Sequence, residues 1–472
     1  MRLRSFLFPA IVSAVSLAAP HMAERPRYGG TLHAEIGASI SSLDPAVGAA
    51  NSSEAGAKED FLPLAFETLV KLDANGTPQP ALASSSEHDV SARHWSFHLR
   101  TGVRFHDGTE LTPEIAAGAI SSLDPSWRIS SFSDAVNIET AASAPDLPYL
   151  LAESRHAIVR RAENGSLAGT GPFKITTWES GKHAAFAANE DYWAGRPFLD
   201  GVDVVMGIAA RVRIIDLQLG KVDLVDLPPE MVRRAGDAKL RTTGSVPADL
   251  LALVFQKDRA GGSDARVREA VARTIDRMAI VNFILQKQGD AAFGLLPEWL
   301  SGTAFLFSSS PDLVGARALW TQIAPAPALV LGYDAKEPLD QAIAERIAVN
   351  AREAGITITS RAIADAGSRS STDAQIVRLR LSSFEPRIAL ADLLESLTSQ
   401  SGVQLEPVPN PASAQEIYER ERAALDGYRI VPIAHLSRIY GVGSRVRNWE
   451  IRPGNALDGW QLGDVWLEKE AQ

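Results

Sequence analysis

The chain has 472 residues, with 45% hydrophobic and 22% charged residues and a formal net charge of -10. That length allows roughly two to three domains with large cores, and the composition excludes disordered and collagen-like classes. The acidic balance also excludes the basic footprint that nucleic-acid binding requires, so no nucleic-acid partner is expected.

MRLRSFLFPAIVSAVSLAAPHMAE opens the chain. Arg2 and Arg4 precede an apolar run from Ser5 to Ala19 that Pro9 interrupts. The run falls short of the ~20 residues a spanning helix needs and reads as an export signal, cleaved after Ala18 or Ala23. The sequence contains no cysteine. Burial alone must then hold an exported fold together, and a lipid-bearing amino-terminal cysteine is excluded. The expected location is the periplasm.

HWSFHLR, from His94 to Arg100, alternates as a strand. His94 and His98 are four apart, which on a strand separates them by ~13 Å, too far to share one metal. FHDGTELTPEIAAGAI follows. Its His106-Asp107 pair invites a catalytic or metal reading, but Asp-Gly is a turn signal, Thr112 fits an N-cap and Pro113 fits the first helical position. The segment therefore reads as strand, turn and capped helix. GTGPF, from Gly169 to Phe173, is glycine-rich but runs into a strand, so it reads as a tight turn and not a phosphate cradle.

GPFKITTWESGKHAAFAANEDYW reads as a hairpin turning at Ser180-Gly181. DGVDVVM alternates again. RVRIIDLQLGKVDLVDLPP reads as a helix stopped by Gly220, followed by a strand from Val222 to Leu227. VREAVARTIDRMAIVNFIL carries helical spacing, with Ser263 and Asp264 as candidate caps. ALVLGYDAKEPLDQAIAERIAVNAREAGITIT reads as strand, helix, strand, which predicts a parallel pair with a crossover helix. Ser360–Ala374 and Ser401–Gln415 read as loops. The first half is thus rich in strands and hairpins, and the second half is α/β.

HExxH, GxSxG, Walker-type and GxGxxG motifs are all missing, so no enzyme, no metal site and no cofactor are expected. Acidic pairs such as Glu190-Asp191 and Asp223/Asp226 are explained by solvated turns and edges. Trp178, Trp193, Trp299 and Trp449 are candidates to stack on a ligand.

Several motifs, taken in order, resemble the family 5 extracellular solute-binding proteins, the receptors of oligopeptide, dipeptide and nickel ABC importers. They are GGTLHAEIGASISSLDPA, LAFETLVKLDANGTPQPALASSSE, WSFHLRTGVRFHDGTELTPEIAAGAI, GTGPFKITTWESG, NEDYWAGRPFLDGV, VREAVARTIDRMAIV and RIVPI. The resemblance covers almost the whole chain after the signal. It implies a type II periplasmic-binding fold: two mixed α/β lobes joined by a hinge, plus an inserted accessory domain. The implied layout is signal peptide 1–23, lobe I 24–45, accessory domain 46–169, lobe I again 170–255, lobe II 256–435 and lobe I 436–472, with hinge crossings near Phe255 and His435.

The implied function is capture of a peptide or other small polar solute between closing lobes, for delivery to ABC permease subunits in the inner membrane, by a monomeric receptor. A degenerate member acting as a ligand sensor or partner-binding protein is the alternative. Ligand contacts implied by the resemblance map to Ala49, Ala50 and Asn51, to Leu381, Ser382, Ser383, Phe384 and Glu385, and to His435 and Leu436. The sequence also departs from the family. Peptide receptors carry a Gly-Trp-x-x-Asp stretch in lobe II whose aspartate pairs with the peptide amino group. Here RLRLSSFEPRIALADLL lacks it, and Glu385 is the nearest acid, either a replacement or a surface-turn residue. An ammonium buried without an acid costs several kcal/mol, which counts against a peptide with a free amino terminus. The stretch from Ile120 to Gly169 is also short for the family.

Overall fold

The computed structural model describes residues 25–49, 51–73, 75–122, 126–162, 165–302, 307, 310–364, 371–449, 451 and 459–468. The expected signal peptide lies outside the described residues, as does Ala50.

Three sheets organise the described chain. The first has seven strands in the order Phe173–Glu179, His183–Ala188, Gly201–Val205, Thr31–Glu35, Leu224–Leu227, Ile439–Val442 and Arg241–Gly244. Thr31–Glu35 runs parallel to both of its neighbours, and the hairpin 173–188 is antiparallel, as its Ser180-Gly181 turn predicts. Gly181 sits there at φ +71°, a conformation glycine adopts without penalty. Leu32, Val202, Val204 and Phe186 from this sheet pack with Phe61, Leu62 and Leu64 of helix Ser52–Ala65. The carboxy-terminal Trp460 and Val465 close the same core.

The second sheet has six strands, ordered Gly289–Ala291, Ile430–Leu436, Asp249–Phe255, Ala374–Arg380, Leu329–Asp334 and Ile358–Ile363. The sequence explains why Asp249–Phe255 lies inside it. DLLALVF is almost continuously apolar, as a strand covered on both faces must be. Strand periodicity then sends Leu251, Leu253 and Phe255 into one core and Leu250, Ala252 and Val254 into another. Helices Ala265–Thr274 and Pro338–Glu353 cover the first face; Pro386–Ser401 and Ala414–Leu425 cover the second. Burying each such side chain contributes about 1.5–3 kcal/mol. Leu329–Asp334 and Ile358–Ile363 pair in parallel across helix Pro338–Glu353, as predicted. Ser360–Ile363, read as loop from composition, completes this edge strand.

The third sheet, Ala83–His88, His94–Leu99, Ala135–Glu139 and Arg128–Phe132, is antiparallel. Trp95, Phe97 and Leu99 face its core with Ala116, Ala117 and Ile120 of helix Pro113–Ser121. Thr112 caps that helix by accepting from Ile115 N at 3.4 Å, and Pro113 occupies its first turn. His106 is an anchor: its Nε2 donates to Gly171 O at 3.0 Å, and its backbone N–H donates to Gly169 O at 2.8 Å. Burial lowers the pKa of this imidazole. Asp107 accepts from Thr109 N and pairs with Arg160. GTGPF is needed for close approach, because a Cβ at Gly169 would lie 1.9 Å from Ala65 O.

The chain crosses between the first two sheets twice, and here the expected boundary needs correction. Asp249–Phe255 belongs to the six-stranded sheet, so the first crossing is at residues 245–248 and not at Phe255. The second runs through Ser437 and Arg438, just after His435. The crossings run side by side: Ser245 N donates to Arg438 O at 2.9 Å, and Arg438 N donates to Ser245 Oγ at 3.0 Å.

Candidate functional site

A cavity of about 940 Å³ lies where all three parts of the molecule meet. Helix Ser52–Ala65 contributes Ala55, Glu59 and Pro63 from the side of the seven-stranded sheet. Tyr149, Glu153 and Arg155 come from the segment after the four-stranded sheet. Arg380, Leu381 and Ser382 come from the end of a strand in the six-stranded sheet, and Trp460 from the carboxy end. The volume is typical of a small-molecule site.

Contacts between the parts tie them together. Arg380 Nη1 donates to Gly56 O at 2.8 Å. Arg387, on helix Pro386–Ser401, pairs with Asp146, and Arg155 reaches Asp392 of the same helix at 3.5 Å.

The wall carries polar atoms that no described protein group satisfies. Glu153 has a side chain only 8% exposed; Arg155 Nε lies 2.6 Å from its Oε2, while its Oε1 has no partner. Burial pushes this carboxyl well above the usual carboxylate range; Arg155 opposes the rise, and Asp392 and Glu59 reinforce it. Arg380 Nη2 and Ser382 Oγ are also buried without partners. Such groups each cost about 1–3 kcal/mol, and more when charged.

Glu67 is the counter-example in the same wall. It accepts from Thr170 Oγ1 at 2.7 Å, Tyr192 OH at 2.8 Å and Trp193 Nε1 at 3.0 Å. Burial raises its pKa against those bonds. It is an internal tie, with its acceptors in use.

The residues singled out in the sequence scatter around this cavity. Leu381 and Ser382 line it. Ser383 is buried beside it, and its Oγ accepts from Glu385 N at 3.1 Å. Phe384 packs on Trp299, with ring centroids 5.7 Å apart, and against the Gly76 turn. Glu385 caps helix Pro386–Ser401, accepting from Ile388 N at 2.9 Å, and is outside the cavity lining. The nearest acid to the missing motif therefore serves a helix end. Asn51 likewise caps helix Ser52–Ala65 through Glu54 N, and Ala49 precedes it on a half-buried loop. His435 is buried in the six-stranded sheet, its Nε2 donating to Leu295 O at 3.0 Å; burial lowers its pKa to about 4. Leu436 is core. Neither lines the cavity.

Of the four tryptophans, Trp193 reaches the cavity, with Arg100 stacked 4.6 Å from its ring. Trp178 packs against the core of the seven-stranded sheet, and Trp449 is buried against Tyr440. His94 pairs with Asp89 and His98 with Asp134, on separate partners. Sequence reasoning missed Glu153, Arg155, Arg380 and Trp460. The one available signal was two charges in LAESRHA, inside the shortened stretch, where an apolar run turns polar.

Among the described residues no group of three or more His, Asp or Glu is placed to hold a metal ion, and no helix is long and apolar enough to cross a membrane.

Known proteins place this architecture. A family model for bacterial extracellular solute-binding proteins, family 5 middle, matches residues 77–385. The chain is 24% identical over 279 residues to heme-binding protein A of Haemophilus influenzae, covering 49% of this chain and 51% of that protein. It is 24% identical over 318 residues to the probable D,D-dipeptide-binding periplasmic protein DdpA of Escherichia coli, covering 61% of each. The chain thus spans about half to three-fifths of the length of these relatives. Among solved structures, NikA from Brucella suis in complex with Fe(III)-EDTA superposes with a TM-score of 0.81 at 17% identity, covering 93% of this chain and all of the other. The Escherichia coli murein tripeptide binding protein MppA gives 0.80 at 17% identity, covering 94% and 99%. These likenesses establish the fold, and the family match spans most of the chain: it belongs to the bacterial extracellular solute-binding proteins of family 5.

Proposed function

We propose that this chain is the solute receptor of an ABC importer, closing around a peptide or other small polar solute and presenting it to permease subunits in the inner membrane. The observation that carries this reading is the cavity itself, walled by all three parts of the molecule and lined with buried polar atoms that await a partner. In this reading the seven-stranded and six-stranded sheets are the cores of lobes I and II. The four-stranded sheet belongs to the inserted accessory domain, and the crossings at 245–248 and 437–438 are the hinge. Residues 1–23 serve as the export signal to the periplasm, removed after Ala18 or Ala23.

The test is to purify the secreted chain, read its amino terminus, and identify any carried solute by native mass spectrometry. Small-angle scattering with and without that solute then measures closure. A chain that carries no solute, takes up none from a broad panel and never changes its dimensions would end this reading.

A further inference from the structure

Residues 146–156 and helix Pro386–Ser401 meet through two ion pairs, Arg387 with Asp146 and Arg155 with Asp392. The first is neutral as a unit, with Glu385 beside it capping the helix. The second is not. Arg155 also holds Glu153 at 2.6 Å, and Glu395 and Glu59 act on the same guanidinium. Four carboxylates thus share one arginine. Glu153 and Glu59 belong to the segment after the four-stranded sheet and to helix Ser52–Ala65; Asp392 and Glu395 belong to helix Pro386–Ser401.

The other charged groups of the cavity act elsewhere. Arg380 donates to Gly56 O, and Arg196 pairs with Glu190 and Asp200. Lys71 acts on Glu67, and Asp464 acts on Tyr192. Asp73 accepts from Asn75 N, Thr77 N and Gln79 Nε2. The surplus of acid has its outlet in Glu153. Arg155 holds its Oε2, while its Oε1 is shut from water and meets no donor. A carboxylate buried in that way neutralises more readily than it stays charged. Burial, Asp392 and Glu59 all work towards the neutral form, and Arg155 opposes them without cancelling them.

We propose that closing helix Pro386–Ser401 onto residues 146–156 takes up one proton, which Glu153 carries, so that acid favours the closed receptor. This rests on the receptor reading, in which these two parts separate on opening, and adds a control on that motion. Apart from the helix, the cluster sets Glu59 and Glu153 against Arg155, two acids to one base. Closure adds Asp392 and Glu395, four acids to one base, in a site with little water. Protonating Glu153 removes one of those charges where it is least solvated. Closure raises the proton affinity of Glu153. The closing constant therefore grows as pH falls through the closed-form pKa and levels off below the open-form value.

The experiment uses the whole secreted chain, stripped of carried solute. The sequence has no cysteine, so Val90→Cys and Val314→Cys place a fluorescent donor and acceptor on exposed residues of the four-stranded and six-stranded parts. Energy transfer is read from about pH 8 down to about pH 5. Transfer should change towards the closed state with acid, and the closing constant should rise by up to about tenfold per pH unit, the limit for one proton. Glu153→Gln, neutral at every pH, should close at about pH 8 as the unmodified chain does in acid, with a flat profile. Asp392→Asn removes one of the charges acting on Glu153 and should move the midpoint to lower pH.

Transfer that does not change with pH in the chain carrying only the two labels overturns the proposal without any charge variant having to fold. So does closure favoured by alkali, a folded Glu153→Gln variant with the original pH profile, or an unmoved midpoint in Asp392→Asn. Each of these leaves the receptor reading intact where added solute still changes the transfer. Transfer that answers neither to pH nor to any solute of a broad panel overturns both.

Discussion

Asp60 offers a direct test of how the second crossing between the two large sheets is held. It lies on helix Ser52–Ala65 and accepts from Arg438 Nη1 and from Tyr440 OH, with the Asp60 and Arg438 side chains only 10% and 15% exposed. Burial works against the charge on Arg438; Asp60 is the first of the groups that keep its pKa above the ordinary arginine value. Asp60→Asn preserves shape and removes the charge. Arg438 is then left buried without its paired counter-charge, and the new amide N–H₂ faces a donor. Breaking a buried pair from one side costs about 3–5 kcal/mol. The exposed pair Arg128–Glu139, at 83% and 38% exposure, should cost no more than ~1 kcal/mol when broken.

Equilibrium urea unfolding of Asp60→Asn, Arg438→Met and the double variant measures the coupling. The double variant should recover most of the loss, since no buried charge remains. A cost below ~1 kcal/mol for Asp60→Asn, or a double variant as unstable as the single, would refute the reasoning.

Three further outcomes follow from the packing. Gly169→Ala should cost at least about 3 kcal/mol, because its Cβ would meet Ala65 O at 1.9 Å, whereas Gly118→Ala, with nothing within 4 Å in helix Pro113–Ser121, should stabilise by ~0.5–1 kcal/mol; similar melting temperatures for the two would contradict this. His435 is held neutral with a pKa near 4 against an ordinary 6.5. Its depressed folded value means its contribution, on the order of 3 kcal/mol, is complete above pH 6.5 and lost as pH falls towards 4; His435→Gln should flatten that slope, and equal slopes would show that His435 is not the titrating group. Glu385→Ala should lower stability by ~0.5–2 kcal/mol as a lost cap and leave solute affinity unchanged; an affinity loss at normal stability would return Glu385 to the binding site.

The fold was legible where local chemistry and tertiary demand agreed. Thr112-Pro113 announces a helix start, Ser180-Gly181 a hairpin, and the apolar stripe of 338–353 a crossover helix; the structure has each. The crossing into the six-stranded sheet comes before DLLALVF and not at Phe255, and the sequence hides this because the run carries no break and, buried on both faces, looks the same at either side of a boundary. Glu385 was read towards the ligand because it is the acid nearest a missing motif. The signal for its actual role was adjacent: an acid immediately before Pro386 is the pattern of a helix start. The cavity was not legible. Glu153, Arg380 and Trp460 lie far apart in sequence, and each is a single residue without a local pattern. Only the arrangement of three sheets brings them to one cavity.

The paired crossings have a mechanical consequence. Two strands laced by Ser245 and Arg438 form a ribbon and not two independent tethers. A ribbon bends readily out of its plane but resists shear along its length, because sliding one strand past the other would break the lacing. Relative motion of the two large sheets is thereby reduced towards one angle, in the manner of hinge closure. Displacement then grows with distance from the ribbon. Small rotations at Ser245 and Arg438 therefore become larger excursions at contacts farther from the ribbon, and a spectroscopic ruler across the two large sheets reads that angle directly.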